Sequence, residues 1–95
     1  MNKKVMVFGT FDGLHKGHRD FLKEAKRYCD YLIAVLPSDN IVKKLKGRPP
    51  KLTLSNRIEH LRREDTVDAA IVGDDELGSW KVIEKHRPDV IALGH

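Results

Sequence analysis

Val5-Met6-Val7-Phe8-Gly9-Thr10-Phe11-Asp12-Gly13-Leu14-His15-Lys16-Gly17-His18 carries the chain from an apolar run, through a loop studded with glycine, into the start of an amphipathic stretch. Four apolar residues in succession, two of them β-branched, suit a strand covered on both faces, which is the situation of a strand in a parallel sheet. Three further runs have the same character: Tyr31 to Leu36, Ala69 to Val72 and Val90 to Leu93. Between them lie stretches with helical periodicity. The first, Lys16 to Cys29, sets Phe21, Leu22, Ala25, Tyr28 and Cys29 on one side and Lys23, Glu24, Lys26 and Arg27 on the other. A second helix is expected from Asp39 to Lys46, capped by Ser38 or Asp39, with Ile41, Val42 and Leu45 inward. Gly47-Arg48-Pro49-Pro50 must be loop. A third helix is expected from Leu54 to Glu64, capped by Thr53 or Ser55 and burying Leu54, Ile58 and Leu61, and a fourth from near Ser79 to His86 with Val82 and Ile83 inward. Strand and helix alternate, so the predicted fold is α/β: a Rossmann-like, doubly wound parallel sheet in a three-layer α/β/α arrangement.

Composition sets the outer bounds. Ninety-five residues, 40% apolar and 34% charged, suffice for one domain over 1–95 and not for two independent cores. No run of about eighteen apolar residues is present, and the opening Met1-Asn2-Lys3-Lys4 lacks the long apolar stretch of a secretory signal, so a soluble cytoplasmic protein is expected. The lone Cys29 falls on a helix's apolar side and reads as a small core residue. The net charge of +4 is unevenly placed: residues 43–63 hold eight basic residues and one acid, a local +7 that leaves −3 for the remainder. Such a patch is either a solvated surface or a phosphate-facing one. Extended nucleic-acid binding is disfavoured, because no basic stripe with interleaved aromatics continues beyond it. Asp74-Asp75-Glu76 reads as a solvated loop, and Trp80 as packed on the sheet or at a subunit contact.

In an open parallel sheet ligands bind beyond the carboxyl ends of the strands, which directs attention to the loop from Gly9 to His18. Glycines at 9, 13 and 17 permit positive φ and a close approach of ligand to backbone, and the loop feeds a helix whose first amides face any anion held there. The spacing is neither the dinucleotide fingerprint nor the common phosphate-binding loop of ATPases. It adds His15 and His18, three residues apart, both able to reach one phosphate. Zinc ligation is the competing use of paired histidines. It is disfavoured by the missing intervening glutamate, the missing third ligand and the neighbouring Lys16. A purely structural use, closing the helix start, is the bland alternative.

Gly9-Thr10-Phe11-Asp12-x-x-His15-x-Gly17-His18 resembles the signature of the cytidylyltransferase-like nucleotidyltransferases, which share a His-x-Gly-His motif. The likeness extends through Val42-Lys43-Lys44-Leu45-Lys46-Gly47-Arg48, the helix around Arg57, Val67-Asp68 and the ending Arg87 to Gly94. It implies attack by an acceptor phosphate on the α-phosphate of ATP or CTP, with pyrophosphate leaving and magnesium accompanying the triphosphate. His15 and His18 would stabilise the pentavalent centre, with Lys46 or Lys44 neutralising phosphate. Gly9, Thr10, Phe11, Asp12, Gly17, Arg57 and Gly94 would belong to the nucleotide-binding surface. Relatives of this kind continue past Gly94 with base and phosphate contacts, so the resemblance implies that a C-terminal segment is lacking; many of them are dimers. Asp65 stands where the glycerol-3-phosphate enzymes carry an arginine, which counts against glycerol phosphate. The Lys-Gly-Arg-Pro and Ile-Ala-Leu-Gly stretches are closer to the archaeal FAD synthases, so FMN with ATP is the expected substrate pair. Glycerol 3-phosphate or a heptose phosphate, and a non-catalytic nucleotide-binding module, are the alternatives.

Overall fold

The computed structural model describes residues 3–74 and 81–93. The strands are β1 (Lys4–Phe8), β2 (Tyr31–Leu36), β3 (Ala69–Val72) and β4 (Val90–Leu93), and the helices are α1 (Lys16–Arg27), α2 (Asp39–Lys46), α3 (Leu54–Arg62) and α4 (Lys81–His86). All pairings are parallel and the strand order is β3-β2-β1-β4. The chain steps outward from β1 through β2 to β3, then crosses to the far side of β1 for β4. That reversal makes the boundary between β1 and β4 the switch point in strand order, the place beyond whose carboxyl ends doubly wound sheets bind ligands.

Side-chain alternation along each strand builds the two faces. Val5, Val7, Leu32, Ala34, Leu36 and Ala70 form one face, filled by Leu22 of α1, Leu61 of α3 and Phe11 of the loop after β1. Met6, Ile33 and Val35 form the other, packed by Phe8, Ala69, Ile71 and Val82 of α4. The register sets Val5 beside Leu32 on one flank and Val90 on the other. Complete burial of an aliphatic side chain contributes about 1.5–3 kcal/mol, so the residues at or near zero exposure on β1 and β2 dominate the core. Capping follows local chemistry. Ser38 Oγ accepts from the Ile41 amide and Thr53 Oγ1 from the Asn56 amide, both at 3.3 Å. Gly47 ends α2 in the left-handed region at φ 73°, its amide donating to the Lys43 carbonyl.

Several expectations need correction. Leu45 is 61% exposed, because only the first turn of α2, with Ile41 and Val42, is seated on the core. On α3 the fully buried partner of Leu61 is Arg57, while Leu54 and Ile58 are half-buried. β4 is an edge strand, with Leu93 75% exposed, and is not covered on both faces as its apolar run suggested. Cys29 is half-buried against the α1 side of the core, where burial pushes its thiol up. The proposed start of the fourth helix at Ser79, the acidic pair Asp75-Glu76 and Trp80 lie outside the described residues.

One polar tie locks α1 and the approach to β3 onto the start of β2. Asp68 Oδ2 accepts from Lys26 Nζ at 2.5 Å and from the Leu32 amide at 2.7 Å. Burial would raise this carboxyl, but the Lys26 ammonium and the Leu32 amide outweigh it and hold it below its ordinary 3.8. A carboxyl depressed in the folded state contributes stability above its unfolded value and loses it as pH falls through the folded one. Asp68→Asn is therefore expected to lower the unfolding free energy by about 1 kcal/mol at neutral pH, discounted for partial exposure. In urea titrations the gap between parent and variant should narrow as pH is lowered below the carboxyl's ordinary 3.8; a gap that does not shrink on acidification would contradict the assignment.

Candidate active site

The loop after β1 is shaped by contacts that the glycines permit. Gly9 donates its amide to the Val35 carbonyl at 3.3 Å. A β-carbon on Gly9 would sit 3.0 Å from the Phe11 ring, which folds back beneath it into the core. Phe11 is 2% exposed and holds φ at 50°, a left-handed conformation costly for an aromatic residue. Gly13 follows at φ 94°. Of the three loop glycines only Gly13 uses the positive-φ freedom expected of all of them; Gly9 and Gly17 are needed for close approach.

His15 is the N-cap of α1. Its backbone is extended and its Nδ1 accepts from the Gly17 amide at 3.1 Å. His18, half a turn into the helix, sets Nδ1 3.2 Å from the Gly13 carbonyl. The two rings stack with centroids 3.8 Å apart and planes at 23°, and Phe11 meets His18 edge-on at 5.6 Å. Each ring thus has Nδ1 anchored to the backbone. No hydrogen bond among the described residues engages either Nε2. A β-carbon on Gly17 would lie 3.0 Å from His15 Cε1, so the His-x-Gly-His spacing has a steric reason: the first ring lies over the glycine. Helix capping, which the sequence presents as an alternative to ligand chemistry, occupies only the Nδ1 of the His15 ring.

The loop is held from beneath and from the side. Arg57 is completely buried; it donates from Nη1 to the Thr10 carbonyl at 3.2 Å, from Nε to the Leu52 carbonyl at 3.2 Å and from Nη2 to Asp39 Oδ1 at 2.7 Å. Asp12 takes the amides of Lys51 and Leu52, one on each oxygen, both at 2.7 Å. Burial opposes its charge, but those two amides, followed by the charges of Arg57 and Lys46, keep the carboxyl below its ordinary value. Leu52 is gripped through its amide by Asp12 and through its carbonyl by Arg57. The expectation that Arg57 faces the nucleotide is corrected by this geometry: its donors point at protein oxygens inside the fold. Asp39, read from sequence only as a cap, is the other end of that clamp, and no local pattern links residues eighteen positions apart.

Gly9, Thr10, Phe11, Asp12, His15, Gly17 and His18 gather at the carboxyl end of β1. Lys44 and Lys46 are exposed on the last turn of α2, with Lys46 the nearer in charge effect to Asp12. Gly94 lies outside the described residues. A cavity of about 330 Å³ adjoins the loop, lined by Gly13, Leu14, Arg19, His60, Arg63 and Glu64. His60 is half-buried in its wall. Among the described residues no group of three or more His, Cys, Asp or Glu could hold a metal ion, and no helix is long and apolar enough to cross a membrane.

A family model described as cytidylyltransferase-like matches residues 6–95. The chain belongs to the cytidylyltransferase-like family. Its curated relatives include the FAD synthase of Pyrococcus abyssi, 47% identical over 91 residues, which are 96% of this chain and 62% of that protein. The FAD synthase of Ferroglobus placidus is 46% identical over 94 residues, 98% of this chain and 59% of that protein. The chain thus spans about three-fifths of the length of these relatives. Among solved structures, the crystal structure of the lipopolysaccharide core biosynthesis protein from Thermoplasma volcanium GSS1 superimposes with a TM-score of 0.85 at 32% identity, covering 94% of this chain and 71% of that one. The three-layer, Rossmann-like α/β/α fold and the membership inferred from the His-x-Gly-His motif both stand.

The cytidylyltransferase-like loop makes two separable demands. Gly17→Ala should leave the unfolding free energy within about 0.5 kcal/mol of the parent, alanine's helix preference offsetting the weakened cap, yet displace the His15 ring and weaken triphosphate binding at least tenfold. Calorimetric titration with ATP beside urea unfolding reads both, and unaltered binding would reject the steric account. Arg57→Met should instead destabilise the fold by about 3 kcal/mol, by stranding Thr10, Leu52 and Asp39 without their shared donor.

Proposed function

We propose that this chain forms the nucleotidyl-transfer site of an FAD synthase, moving AMP from ATP to the phosphate of FMN. The observation that carries the reading is the stacked His15–His18 pair, each ring pinned through Nδ1 with Nε2 left for a ligand, at the start of α1 and beside the switch in strand order. A helix start and backbone amides favour phosphate, and fixed donors stabilise the negative charge that accumulates on a pentavalent phosphorus. The names of the curated relatives, at 37–47% identity over nearly the whole chain, support FMN with ATP. A cytoplasmic location goes with this reading, since FMN and ATP are soluble metabolites.

In this mechanism an FMN phosphate oxygen attacks the α-phosphorus of ATP. The bond from that phosphorus to the oxygen bridging to the β-phosphate breaks, and pyrophosphate leaves with the electron pair. His15 and His18 donate to the non-bridging oxygens of the reacting phosphorus. Lys46, with Lys44 beside it, neutralises phosphate from the α2 side, and the α1 amides and the loop around Gly9 and Thr10 receive the triphosphate. Asp12 keeps both oxygens on the Lys51 and Leu52 amides and so acts by holding the loop. Magnesium arrives as part of the nucleotide substrate. Such a reaction depends on positioning and electrostatics more than on a protein nucleophile.

A sugar-phosphate acceptor is a second reading, favoured by the structural likeness to a lipopolysaccharide core biosynthesis protein. Pyrophosphate release from labelled ATP or CTP, with FMN, glycerol 3-phosphate or heptose phosphate as acceptor, distinguishes them. FMN with ATP is the expected pair; release only with CTP and glycerol 3-phosphate would remove the FMN reading, and triphosphate binding without turnover for any acceptor would leave a binding module. His18→Ala should lower turnover by about 10²–10³-fold with unchanged unfolding, the loss typical of one transition-state donor. Equal rates in variant and parent would overturn the site assignment.

A further inference from the structure

We propose that Leu45 selects the acceptor: it receives the flat apolar ring of a substrate whose phosphate monoester is held by the cations on either side of it. The assignment rests on the flavin reading above and adds the residue that tells FMN from a small polyol phosphate.

α2 and the turn that follows it form an arch with both feet on the histidine-bearing loop. At the first foot, Asp39 Oδ1 accepts from Arg57 Nη2 at 2.7 Å, and the same guanidinium donates to the Thr10 carbonyl at 3.2 Å. At the second, the Lys51 and Leu52 amides donate to the two oxygens of Asp12, each at 2.7 Å. The span between the feet is stiff. Gly47 closes α2 with its amide on the Lys43 carbonyl at 2.8 Å, and the rings of Pro49 and Pro50 restrict the backbone up to Lys51.

The arch carries Lys43, Lys44, Lys46, Arg48 and Lys51, all exposed, with no acid between them. Among the described residues none of these cations joins an ion pair. In their midst Leu45 is 61% exposed, although helical spacing sets it on the same side as Ile41 and Val42, which are 5% and 1% exposed. The apolar stripe of α2 therefore runs past the edge of the core and ends on a leucine ringed by positive charge. An apolar surface beside uncompensated cations complements an anion with an apolar body. A polyol phosphate satisfies the cations and leaves the leucine in water.

Strand order separates this surface from the nucleotide. In the flavin reading ATP lies over the switch point between β1 and β4. α2 starts just past β2, on the opposite flank of β1. Substrates that reach the loop from opposite flanks can set the attacking and leaving oxygens in line across the α-phosphorus, as phosphoryl displacement requires. The ring on Leu45 is thus the acceptor's and not the base of ATP.

Because Leu45 is exposed, its replacement leaves the fold intact and isolates the contact. Flavin fluorescence polarisation and turnover with ATP, both on the whole chain, read the effect. Leu45→Gln should weaken FMN binding about tenfold and raise its KM by a similar factor, with kcat and the KM for ATP within about twofold of the parent. Leu45→Met, which keeps an apolar surface, should bind FMN as the parent does. Glycerol 3-phosphate, which has the phosphate without the ring, should bind parent and Leu45→Gln equally. Unchanged FMN affinity in Leu45→Gln, or an equal loss for glycerol 3-phosphate or ATP, would overturn the assignment. A parent that binds glycerol 3-phosphate as tightly as FMN removes the flavin reading and this assignment together. A parent that selects FMN, with Leu45→Gln selecting it just as well, overturns the assignment alone.

Discussion

The loop that presents His15 and His18 is held from beneath by one guanidinium. Arg57 sits where an aliphatic residue of α3 would be expected, and its burial is sustained because three oxygens from three separate segments meet its donors. Arginine suits this position because its planar fork reaches several acceptors at fixed angles, which an ammonium does not. The segments it joins are the loop after β1, the first residue of α2 and the approach to α3. These carry the histidines, the exposed lysines and the peptide that Asp12 grips. Under the proposed function the donors must be fixed before charge develops in the transition state, and the fixing would lie in the core.

Much of the fold was legible because it depends on local pattern. The continuous apolar runs marked β2, β3 and β4 at their observed bounds, and Ser38 with Gly47 bracketed α2 as helix chemistry requires. The failures share a physical cause. Whether Leu45 is buried depends on how far α2 extends over the core, and whether β4 is covered depends on what lies beyond it in space. Neither property is written within a few residues of the position. Arg57 is the sharpest case: in a segment of eight basic residues it read as part of the nucleotide-binding surface, and only the approach of Thr10, Leu52 and Asp39 turns it inward.

The site was readable for a different reason. Gly17 must be small because His15 lies over it, and His15 lies there because it caps the helix that Gly17 belongs to. Motif spacing thus records a local steric arrangement, which is why ten residues point so directly to a family. The clamp that stiffens the arrangement is non-local and left no such trace. The basic segment likewise divides once folded: Arg57 turns inward, Arg63 pairs with Glu59, and the lysines of α2 stay exposed.

The place of β1 in the sheet bears on how the molecule is made. Val5 pairs with Leu32 on one flank and with Val90 on the other, and the Lys4 amide is taken by the Asp89 carboxylate. The first of the described strands to be synthesised is therefore completed by the last of them. Until then a nascent chain carries an unpaired apolar edge in the middle of its future sheet, a topology that slows folding and exposes a surface for chaperones to shield.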